Sequence, residues 1–371
     1  MTIDSLELLN FRNYEREYFQ FDSETNVLFG DNAQGKTNVL EGIYLCSTTR
    51  SHRGSKDREL IRLNQMDAHL RMTVNKSDVP HKIDVHLKKN KAKGMAIDGI
   101  PVKKSSELLG FANIVFFSPE DLGIIQNGPE ARRKFIDMEL CQLDKLYLFN
   151  LTKYKHVLRQ RNHLLKQISI NPELLETLDI WNQKLVEYGT YVIRARKEFS
   201  EKLNVHMKEI HRSLTGGVEP IELVYEPNVR EETFGQKLVM EEQKDLFLKT
   251  TNAGPHRDDL SFFSDGKDLR KFGSRGQQRT GALSLKLTEI RIVEDKTGEK
   301  PILLLDDVLS ELDRKRQNYL LEHIKGIQTI ITCTGLEEFI KNGINIQKTF
   351  EIVSGTVKHV RSAHTDGGSY E

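Results

Sequence analysis

The residues best suited to chemistry lie near the start of the chain, in a glycine-rich segment that fits the pattern G-x-x-x-x-G-K-[ST]. Glycines at both ends let the backbone turn sharply, so that successive N–H groups face a polyphosphate. In such a loop the lysine reaches the β- and γ-phosphates and the last hydroxyl ligates Mg²⁺. The candidate nucleotide-binding residues here are Gly30, Asp31, Asn32, Ala33, Gln34, Gly35, Lys36 and Thr37. Lys36 is also a candidate catalytic residue, and Thr37 a candidate metal ligand.

The segments on either side of this loop predict the elements that position it. Residues Asn26–Phe29 form a short apolar run of strand-forming residues, and Asn38–Leu45 places apolar residues at helical spacing. An ordinary glycine-rich turn between a strand and a helix is the alternative, and the complete pattern argues against it. The sequence therefore predicts a strand, a phosphate-binding loop and a helix in succession.

Two carboxylates follow a second apolar run much later in the chain. Residues 301–305 read Pro-Ile-Leu-Leu-Leu, and Asp306 and Asp307 come next. A buried parallel strand with acids at its carboxyl end is where an α/β sheet places metal-binding and catalytic groups. We expect Asp306 to hold Mg²⁺ through water and Asp307 to orient or deprotonate the attacking water. An ordinary acidic turn is the weaker alternative, because the loop at Gly30 independently requires a partner acid.

A second anion-binding helix start is predicted between the loop and these acids. Residues Gly273–Arg279 open a helix whose later apolar positions recur at helical spacing. Its first turn offers free N–H groups, a serine hydroxyl and arginines. The candidate nucleotide-binding residues of this turn are Ser274, Arg275, Gly276 and Gln277.

Composition excludes several classes of protein. A chain of 371 residues is long enough for two or three domains with a large core. Cys46, Cys141 and Cys333 lie far apart without a C-x-x-C pair, which argues against a zinc site or a disulfide framework and fits a reducing cytosol. No apolar signal core begins the sequence, and no run approaches the ~18 apolar residues of a membrane span. We therefore expect a cytoplasmic protein without a membrane partner.

The net charge of +1 hides two basic regions. Residues 50–104 carry 14 Lys/Arg against 6 Asp/Glu, and residues 131–212 carry 16 against 10. Within the first region, period-two alternation surrounds Lys88–Gly94, which predicts a hairpin whose tip carries four lysines. These charges contact nucleic-acid phosphates or form an ordinary solvated face, and composition alone does not decide between the two.

The middle of the chain predicts a pair of long helices. Two apolar stripes at helical spacing, over residues 154–168 and 174–203, are separated by Asn171-Pro172. The second stripe alternates steps of three and four residues, so an antiparallel helical hairpin buries it best. The single tryptophan, Trp181, belongs to this stripe and is assigned to packing.

This helical segment interrupts an α/β domain. Strand character resumes at Ile221–Tyr225, after Gly216-Gly217 ends the helices. We therefore predict a discontinuous domain of residues 1–118 and 213–371, into which an arm of residues 119–212 is inserted.

Two further polar sites have open interpretations. Arg12 lies between aromatic residues. It is either a surface residue beside a strand end or a residue near the nucleotide, and we include it among the candidate nucleotide-binding residues. His256 with Asp258 and Asp259 could form a metal site, but no second histidine is nearby, which argues against it.

The order of these segments resembles the ABC-type ATPases of the SMC group: loop, helical insertion, Ser-Arg-Gly-Gln-Gln, Leu-Leu-Leu-Asp-Asp and then Ser310–Asp313. More narrowly, the chain is similar to the RecF family of bacterial DNA replication and repair proteins from about residue 3 to 335. The segments that carry this narrower resemblance are Phe11–Tyr14, Phe117–Leu122, Gly254–Asp259 and Ser274–Arg279. The resemblance implies an α/β fold, an ABC-ATPase-like P-loop domain with mixed sheets, interrupted by the helical-hairpin arm.

The resemblance also implies roles for the candidate residues. Gly30–Thr37 is the Walker A loop, Asp306 ends Walker B, Asp307 takes the catalytic-acid position, Ser274–Gln278 is the signature motif and Ser310–Asp313 is the D-loop. Two departures concern hydrolysis: Asp307 stands where most ABC ATPases carry glutamate, and Thr332-Cys333-Thr334 stands where they carry a switch histidine. A shorter base and a missing histidine weaken water activation without changing the phosphate cradle. ATP binding with weak hydrolysis is the expectation.

Function and partners are likewise implied. In this class the signature motif of one protomer faces the γ-phosphate bound by the other, so ATP is an interfacial ligand of a two-fold homodimer. We expect ATP binding to close this dimer around DNA, whether single-stranded, duplex or gapped, and weak, DNA-stimulated hydrolysis to open it. The implied family role is in DNA replication, recombinational repair and the SOS response, with RecO and RecR as partners that help load RecA.

Two other classes of ATP-dependent protein compete with this interpretation. A P-loop ATPase that acts on a protein partner would not need the arm and the basic residues 50–104, which suit a DNA clamp better. A nucleotide-kinase-type phosphotransferase predicts a short chain between the loop and the acids, whereas roughly 270 residues intervene here. DNA-stimulated ATP hydrolysis would favour the clamp, and a phosphorylated product would favour the kinase.

Overall fold

A computed structural model describes residues 1–336 and 345–362. The chain divides into two compact units, one of Met1–Asp121 with Ile290–Glu371 and one of Leu122–Glu289. The second unit therefore includes residues 213–289, which the sequence pattern grouped with the α/β domain. Over the described residues, no helix combines the length and the apolar character needed to cross a membrane.

The chain up to residue 121 contains more strand than helix. Its elements are β1 (Thr2–Phe11), β2 (Tyr14–Gln20), β3 (Thr25–Phe29), α1 (Lys36–Thr48), α2 (Asp57–Leu60), β4 (Asp67–Lys76), β5 (Val79–Lys88), β6 (Lys91–Ile97), β7 (Ile100–Pro101) and β8 (Ile114–Phe117), with 3₁₀ turns at Ser105–Glu107 and Pro119–Asp121. Strands β5 and β6 form the predicted basic hairpin, in which Lys88 pairs with Lys91.

Residues 122–297 are mostly helical. The elements are α3 (Leu122–Gln126), α4 (Pro129–Leu143), α5 (Lys145–Ile168), α6 (Leu178–Thr215), β9 (Glu222–Glu226), α7 (Phe234–Met240), α8 (Glu242–Leu248), β10 (Asp259–Ser264), β11 (Lys267–Asp268), α9 (Leu269–Phe272) and α10 (Arg275–Thr297), with 3₁₀ turns at Pro172–Thr177, Glu231–Thr233 and Pro255–Arg257. Strands β11, β10 and β9 form a small antiparallel sheet in that order.

The described remainder begins with a strand, a helix and a strand, and ends with a pair of strands. It contains β12 (Ile302–Asp306), a 3₁₀ turn at Leu309–Glu311, α11 (Arg314–His323), β13 (Thr329–Cys333), β14 (Lys348–Val353) and β15 (Thr356–Ser362).

The first unit contains two six-stranded sheets. One is antiparallel, in the order β2-β1-β4-β5-β6-β7, and the other is mixed, in the order β15-β14-β3-β13-β12-β8. In the mixed sheet the pairs β14–β3, β3–β13, β13–β12 and β12–β8 are parallel, and β14 pairs with β15 in the antiparallel direction. The carboxyl ends of β3, β13 and β12 therefore lie side by side, which is where a parallel sheet places a binding site.

Helix α1 is buried between these sheets. Gly42 on α1 faces Leu8 of β1 and Leu70 of β4, since a Cβ atom there would lie 3.2 and 3.3 Å from their methyl groups. Val39 of α1 belongs to the same buried cluster as Leu304 of β12. Because apolar contacts cover α1 on both sides, its first residues are held rigidly beside the mixed sheet.

The long helices of the second unit form the predicted antiparallel hairpin. Arg196 Nε of α6 lies 3.1 Å from the Tyr147 hydroxyl of α5, and Arg161 Nε of α5 lies 2.8 Å from Asn182 Oδ1 of α6. Partner numbers fall on α6 as they rise on α5, which requires opposite directions. Helix α6 has 38 residues, and Gly216 ends it in the left-handed conformation with φ 71°.

Candidate nucleotide-binding site

The glycine-rich loop Gly30–Gly35 joins β3 to α1, as predicted. Gly30 and Gly35 have φ angles of 143° and 117°, a region that side chains rarely adopt. A Cβ atom on Gly30 would clash with the Ile352 carbonyl oxygen, and one on Gly35 would lie 2.6 Å from Asn13 Nδ2. Backbone conformation and close packing thus both require glycine at these two positions.

Hydrogen bonds from outside the loop fix its shape. The Asn13 side-chain amide and the Gly355 N–H both donate to the Gln34 carbonyl oxygen, each at 2.9 Å. By contrast, no acceptor in the described chain takes a hydrogen bond from the N–H groups of residues 32–35. The loop is thus a preformed set of free backbone donors, the arrangement that binds a polyphosphate.

Lys36 supplies a buried positive charge to the same loop. It begins α1 and is only 4% exposed. Its Nζ atom donates to the carbonyl oxygens of Gly30, at 2.6 Å, and Asp31, at 2.8 Å. The side chain therefore lies back across the loop, where its ammonium group can meet phosphate oxygens.

Asp306 ends β12 and accepts hydrogen bonds from residues of α1 and β13. Thr37 of α1 donates its hydroxyl to Asp306 Oδ1 at 2.7 Å, and Thr332 of β13 donates to the same oxygen at 2.8 Å. Asp306 is 9% exposed. The structure thus brings together two predicted metal ligands, Thr37 and Asp306, that are far apart in the sequence.

The oxygen atoms of Thr37 and Asp306 suit Mg²⁺. This ion prefers oxygen ligands and is usually held by one or two carboxylates together with water and substrate phosphates. Within residues 1–336 and 345–362, no group of three or more His, Cys, Asp or Glu side chains could hold a metal alone. An ion at this site would therefore require phosphate and water oxygens to complete its coordination.

Asp307 is held in an unusual backbone conformation beside Asp306. Its φ angle is 53°, and its N–H donates to Thr332 Oγ1 at 3.0 Å. Burial, and then the neighbouring Asp306 charge, raise the pKa of Asp307 above its ordinary value, although Lys36 opposes them. A carboxylate with a raised pKa accepts a proton more readily, which fits the predicted role as a base.

Arg12 is already engaged by protein groups. Its Nε and one terminal nitrogen donate to both carboxylate oxygens of Glu41, at 2.7 and 2.8 Å. Its other contacts are the Ser55 hydroxyl at 2.7 Å and the Glu59 carbonyl at 3.1 Å. Burial favours a higher pKa for Glu41, but hydrogen bonds from Arg12 and Ser51 outweigh it and hold that pKa below its ordinary value. Arg12 therefore braces α1, the helix that follows the loop.

In the second unit, Ser274 and Gln277 form a reciprocal capping box at the start of α10. Ser274 N–H donates to Gln277 Oε1 at 2.9 Å, and Gln277 N–H donates to Ser274 Oγ at 3.2 Å. Since Ser274 Oγ accepts this bond, its own hydroxyl hydrogen is left to donate elsewhere. Ser274, Arg275 and Gly276 are exposed, so the predicted second anion-binding turn faces outward.

Comparison with known proteins decides the family. The model of the RecF/RecN/SMC N-terminal domain matches residues 2–357. The chain is 59% identical to the DNA replication and repair protein RecF of Lachnoclostridium phytofermentans, over 96% of this chain and 99% of that protein. This chain belongs to the RecF family.

Other relatives agree. RecF of Clostridium perfringens is 44% identical over 96% of this chain and all of that protein. A solved structure of the recombination mediator protein RecF-ATP in the RecFOR pathway is 37% identical, with a TM-score of 0.90, and covers 96% of this chain and 97% of that one. The Smc head domain of Pyrococcus furiosus, 18% identical with a TM-score of 0.57 over 98% of this chain and 97% of that one, shares the fold.

In this RecF-family chain the segment Gly254–Asp259 has a structural role. Asp258 pairs with the buried Arg196 at 2.9 Å, and Asp259 pairs with Arg132 at 2.6 Å. These carboxylates therefore neutralise buried guanidinium groups, so the open metal-site interpretation of this segment has no support in the described residues.

Sequence reasoning missed three residues that shape the RecF-family site. Thr332 differs in the sequence only by standing where a histidine is expected, yet it forms hydrogen bonds with both Asp306 and the Asp307 N–H. Asn13 belongs to a family motif in the sequence, and in the structure it donates a hydrogen bond directly to the loop. Glu41 is fully buried. Its position among the apolar residues of the predicted helix is a sequence feature from which this burial could be inferred.

Proposed function

We propose that this chain binds ATP with Mg²⁺, dimerises around the bound nucleotide and clamps DNA during replication and recombinational repair. The observation that carries the proposal is the meeting of Thr37 and Asp306, 2.7 Å apart, beside a loop with free backbone donors. Membership of the RecF family supports the repair role, and the RecF-ATP structure, a relative over nearly the whole chain, supports the choice of nucleotide.

Each residue of the loop and the acid pair has a role in the proposed reaction. The loop N–H groups and Lys36 hold the phosphates. Thr37 and Asp306 would hold Mg²⁺, which would neutralise phosphate charge. Asp307 orients the attacking water and accepts its proton, and Thr332 keeps both aspartates in position through its hydrogen bonds. Because aspartate is a shorter base than glutamate, hydrolysis is weak.

An exposed glycine supports nucleotide binding between two copies of the chain. Glycine inside a helix costs about 1 kcal/mol relative to alanine. Among the described residues outside its own helix backbone, a Cβ atom on Gly276 would meet Ser274 Oγ alone within 4 Å, at an ordinary 3.8 Å. The described part of the chain therefore does not require glycine here. Close approach of a group from outside would require it, and we place there the phosphate bound by a second copy of the chain, capped by Ser274.

The basic hairpin supports DNA binding. Lys88, Lys89 and Lys91 are exposed at or beside its tip, in the region of the chain with the largest basic excess. Such lysines contact phosphates rather than base edges, so binding is strongly salt-dependent and largely independent of sequence. Single-stranded, duplex and gapped DNA all offer this backbone.

We base the proposed cellular role on membership of the RecF family. The chain acts in the cytoplasm with RecO and RecR, and through them promotes RecA loading on single strands.

One experiment tests the nucleotide-dependent clamp. The Asp307→Asn variant is mixed with ATP and Mg²⁺, with and without gapped DNA, and its mass is followed by light scattering. We expect a dimer that persists with ATP and retains DNA, because binding is intact and hydrolysis is removed. A variant that binds ATP but remains a monomer with and without DNA would contradict the proposal.

A further inference from the structure

An exposed aromatic side chain lies next to the signature turn. Phe272 ends the short helix α9, two residues before Ser274, and its exposure is 72%. A phenylalanine so open to water gains little from packing against the residues that the structure describes. Aromatic side chains are enriched at protein–protein interfaces. Phe272, next to the signature turn, is therefore a candidate interface anchor.

The chain holds Phe272 in a fixed position. Gln278 is buried and donates through Nε2 to the Leu269 carbonyl at 2.8 Å, and Gly273 N–H donates to the same carbonyl at 3.1 Å. Gln126 Nε2 in turn donates to Gln278 Oε1 at 2.8 Å. Helix α9 is thus tied to α10, so Phe272 keeps its place relative to Ser274.

The connection between these helices is also tight. A Cβ atom on Gly273 would lie 2.6 Å from the Leu269 carbonyl oxygen, so glycine alone fits this turn without rearrangement. Leu269 itself is buried. A rigid turn presents its exposed side chain at little entropic cost on binding, which is the benefit of preorganisation.

Positively charged residues lie on both sides of this aromatic residue in the sequence. Arg270 and Arg275 flank it, both are exposed, and neither forms a salt bridge in the part of the chain that the structure describes. The patch therefore offers an apolar centre with a cationic rim. Its complement includes a dense negative charge, and a second copy carrying a bound triphosphate would supply that charge.

We propose that Phe272 is an apolar anchor of the ATP-dependent homodimer and packs against the second copy whose nucleotide Ser274 caps. This inference rests on the proposed function, because only that function brings a second copy to the signature turn. Phe272 deepens it by adding binding energy that depends on contact between the protein chains, separate from any contact with phosphate.

The test compares three variants of the full chain with ATP and Mg²⁺. Phe272→Ser removes the anchor, Phe272→Leu keeps part of its apolar area, and Phe247→Ser makes the same change at an 84% exposed phenylalanine in α8 of the same unit. Sedimentation velocity over a range of protein concentrations gives the dimer dissociation constant. Titration with a fluorescent ATP analogue, at concentrations where the chain is a monomer, gives nucleotide affinity.

We expect Phe272→Ser to weaken dimerisation about 10- to 100-fold, Phe272→Leu to weaken it less, and Phe247→Ser to leave it unchanged. Nucleotide affinity of the monomer and the melting temperature should stay at wild-type values, because Phe272 is exposed. Unchanged dimerisation of Phe272→Ser, or an equal loss in Phe247→Ser, would overturn the anchor while leaving the proposed function intact. A wild-type chain that binds ATP without dimerising would instead contradict the proposed function, and the anchor with it.

Discussion

Thr37 and Asp306 are 269 positions apart in the chain, yet the Thr37 hydroxyl donates to Asp306 Oδ1 across 2.7 Å. Thr37 belongs to the helix that follows the phosphate-binding loop, and Asp306 ends β12, which lies two strands from β3 in the mixed sheet. The contact joins the two halves of the candidate site within one compact unit.

Replacing Thr37 by valine keeps the shape of this side chain and removes its oxygen. We expect ATP affinity in the presence of Mg²⁺ to fall about 10- to 100-fold, because one ligand and one charged hydrogen bond are lost. Affinity measured in EDTA should change much less. Fluorescent nucleotide titration with and without Mg²⁺ measures both.

Thr48→Val is the matched control for this variant. Thr48 lies near the other end of α1, and its hydroxyl donates to the Tyr44 carbonyl at 2.7 Å. Wild-type Mg²⁺-dependent affinity is expected for it. An equal loss in both variants would show that α1 needs these hydroxyls for folding rather than for the metal.

The exposed Gly276 predicts opposite effects on stability and on assembly. Alanine there should stabilise the chain by about 0.5–1 kcal/mol, because glycine is a poor helix former and the site has room for a methyl group. The same methyl group should weaken ATP-dependent dimerisation if a second copy approaches closely. Thermal denaturation and sedimentation velocity measure the two effects. A Gly276→Ala variant that is more stable and still dimerises normally would contradict the proposed close approach of a second copy at Gly276.

Asp307 and Asp306 should respond differently to the same substitution. Asp307→Asn removes the proposed base, so ATP hydrolysis should fall about 100-fold or more while nucleotide affinity is retained. Asp306→Asn removes a charged metal ligand, so Mg²⁺-dependent affinity itself should fall. Single-turnover hydrolysis and nucleotide titration separate the two steps. Loss of binding in both variants would show that Asp307 holds the ligand as well.

Local sequence was enough to predict the loop, the buried strands and the arm. The spacing of Gly30, Gly35 and Lys36 reports backbone geometry within a few residues, and the apolar stripe of α6 reports the face that packs on α5. Such patterns need no knowledge of the rest of the chain. This explains why the loop and the helical arm occur where the sequence predicts them.

Contacts set by strand order could not be predicted in the same way. Thr332 reaches Asp306 only because β13 pairs with β12 in a register that puts these two residues opposite each other. Asn13 reaches Gln34 across the first unit, and no short motif encodes that distance. Glu41 differs, since its burial could have been inferred from the apolar residues on either side of it.

The lysines of the basic hairpin should not contribute equally to DNA binding. Lys91 is exposed, whereas Lys93 is 17% exposed and its Nζ donates to the Thr49 carbonyl at 2.5 Å and to Asp57 at 3.0 Å. The slope of log affinity against log salt is negative, and Lys91→Ala should reduce its magnitude by about 1. Lys93→Ala should leave that slope unchanged, since its charge is already neutralised. Fluorescence anisotropy with labelled duplex DNA at several salt concentrations measures the slope, and equal changes in the two variants would contradict the assignment.

His256 should make the stability of the second unit depend on pH. Its Nε2 lies 2.9 Å from the Thr251 carbonyl oxygen, so Nε2 carries the hydrogen, and Nδ1 accepts from the Tyr154 hydroxyl at 2.6 Å. Burial, with Arg257 and Arg133 nearby, lowers the pKa of His256 to about 4, even though the Thr251 bond and Asp245 oppose it. The folded chain therefore keeps this ring neutral where an unfolded chain protonates it.

The sign of the effect follows from proton uptake. Below pH ~6.5 the unfolded state binds a proton that the folded state excludes, so this contribution is full above that pH and is lost as the pH falls towards 4. Denaturant unfolding at pH 7.5 and 5.5 should show the wild type losing about 1 kcal/mol more than His256→Gln over this interval. His52→Gln is a second variant for comparison. It removes a histidine of the other unit whose pKa burial also lowers to about 4. If the wild type and His256→Gln lose the same stability between these pH values, His256 is not the group that excludes the proton.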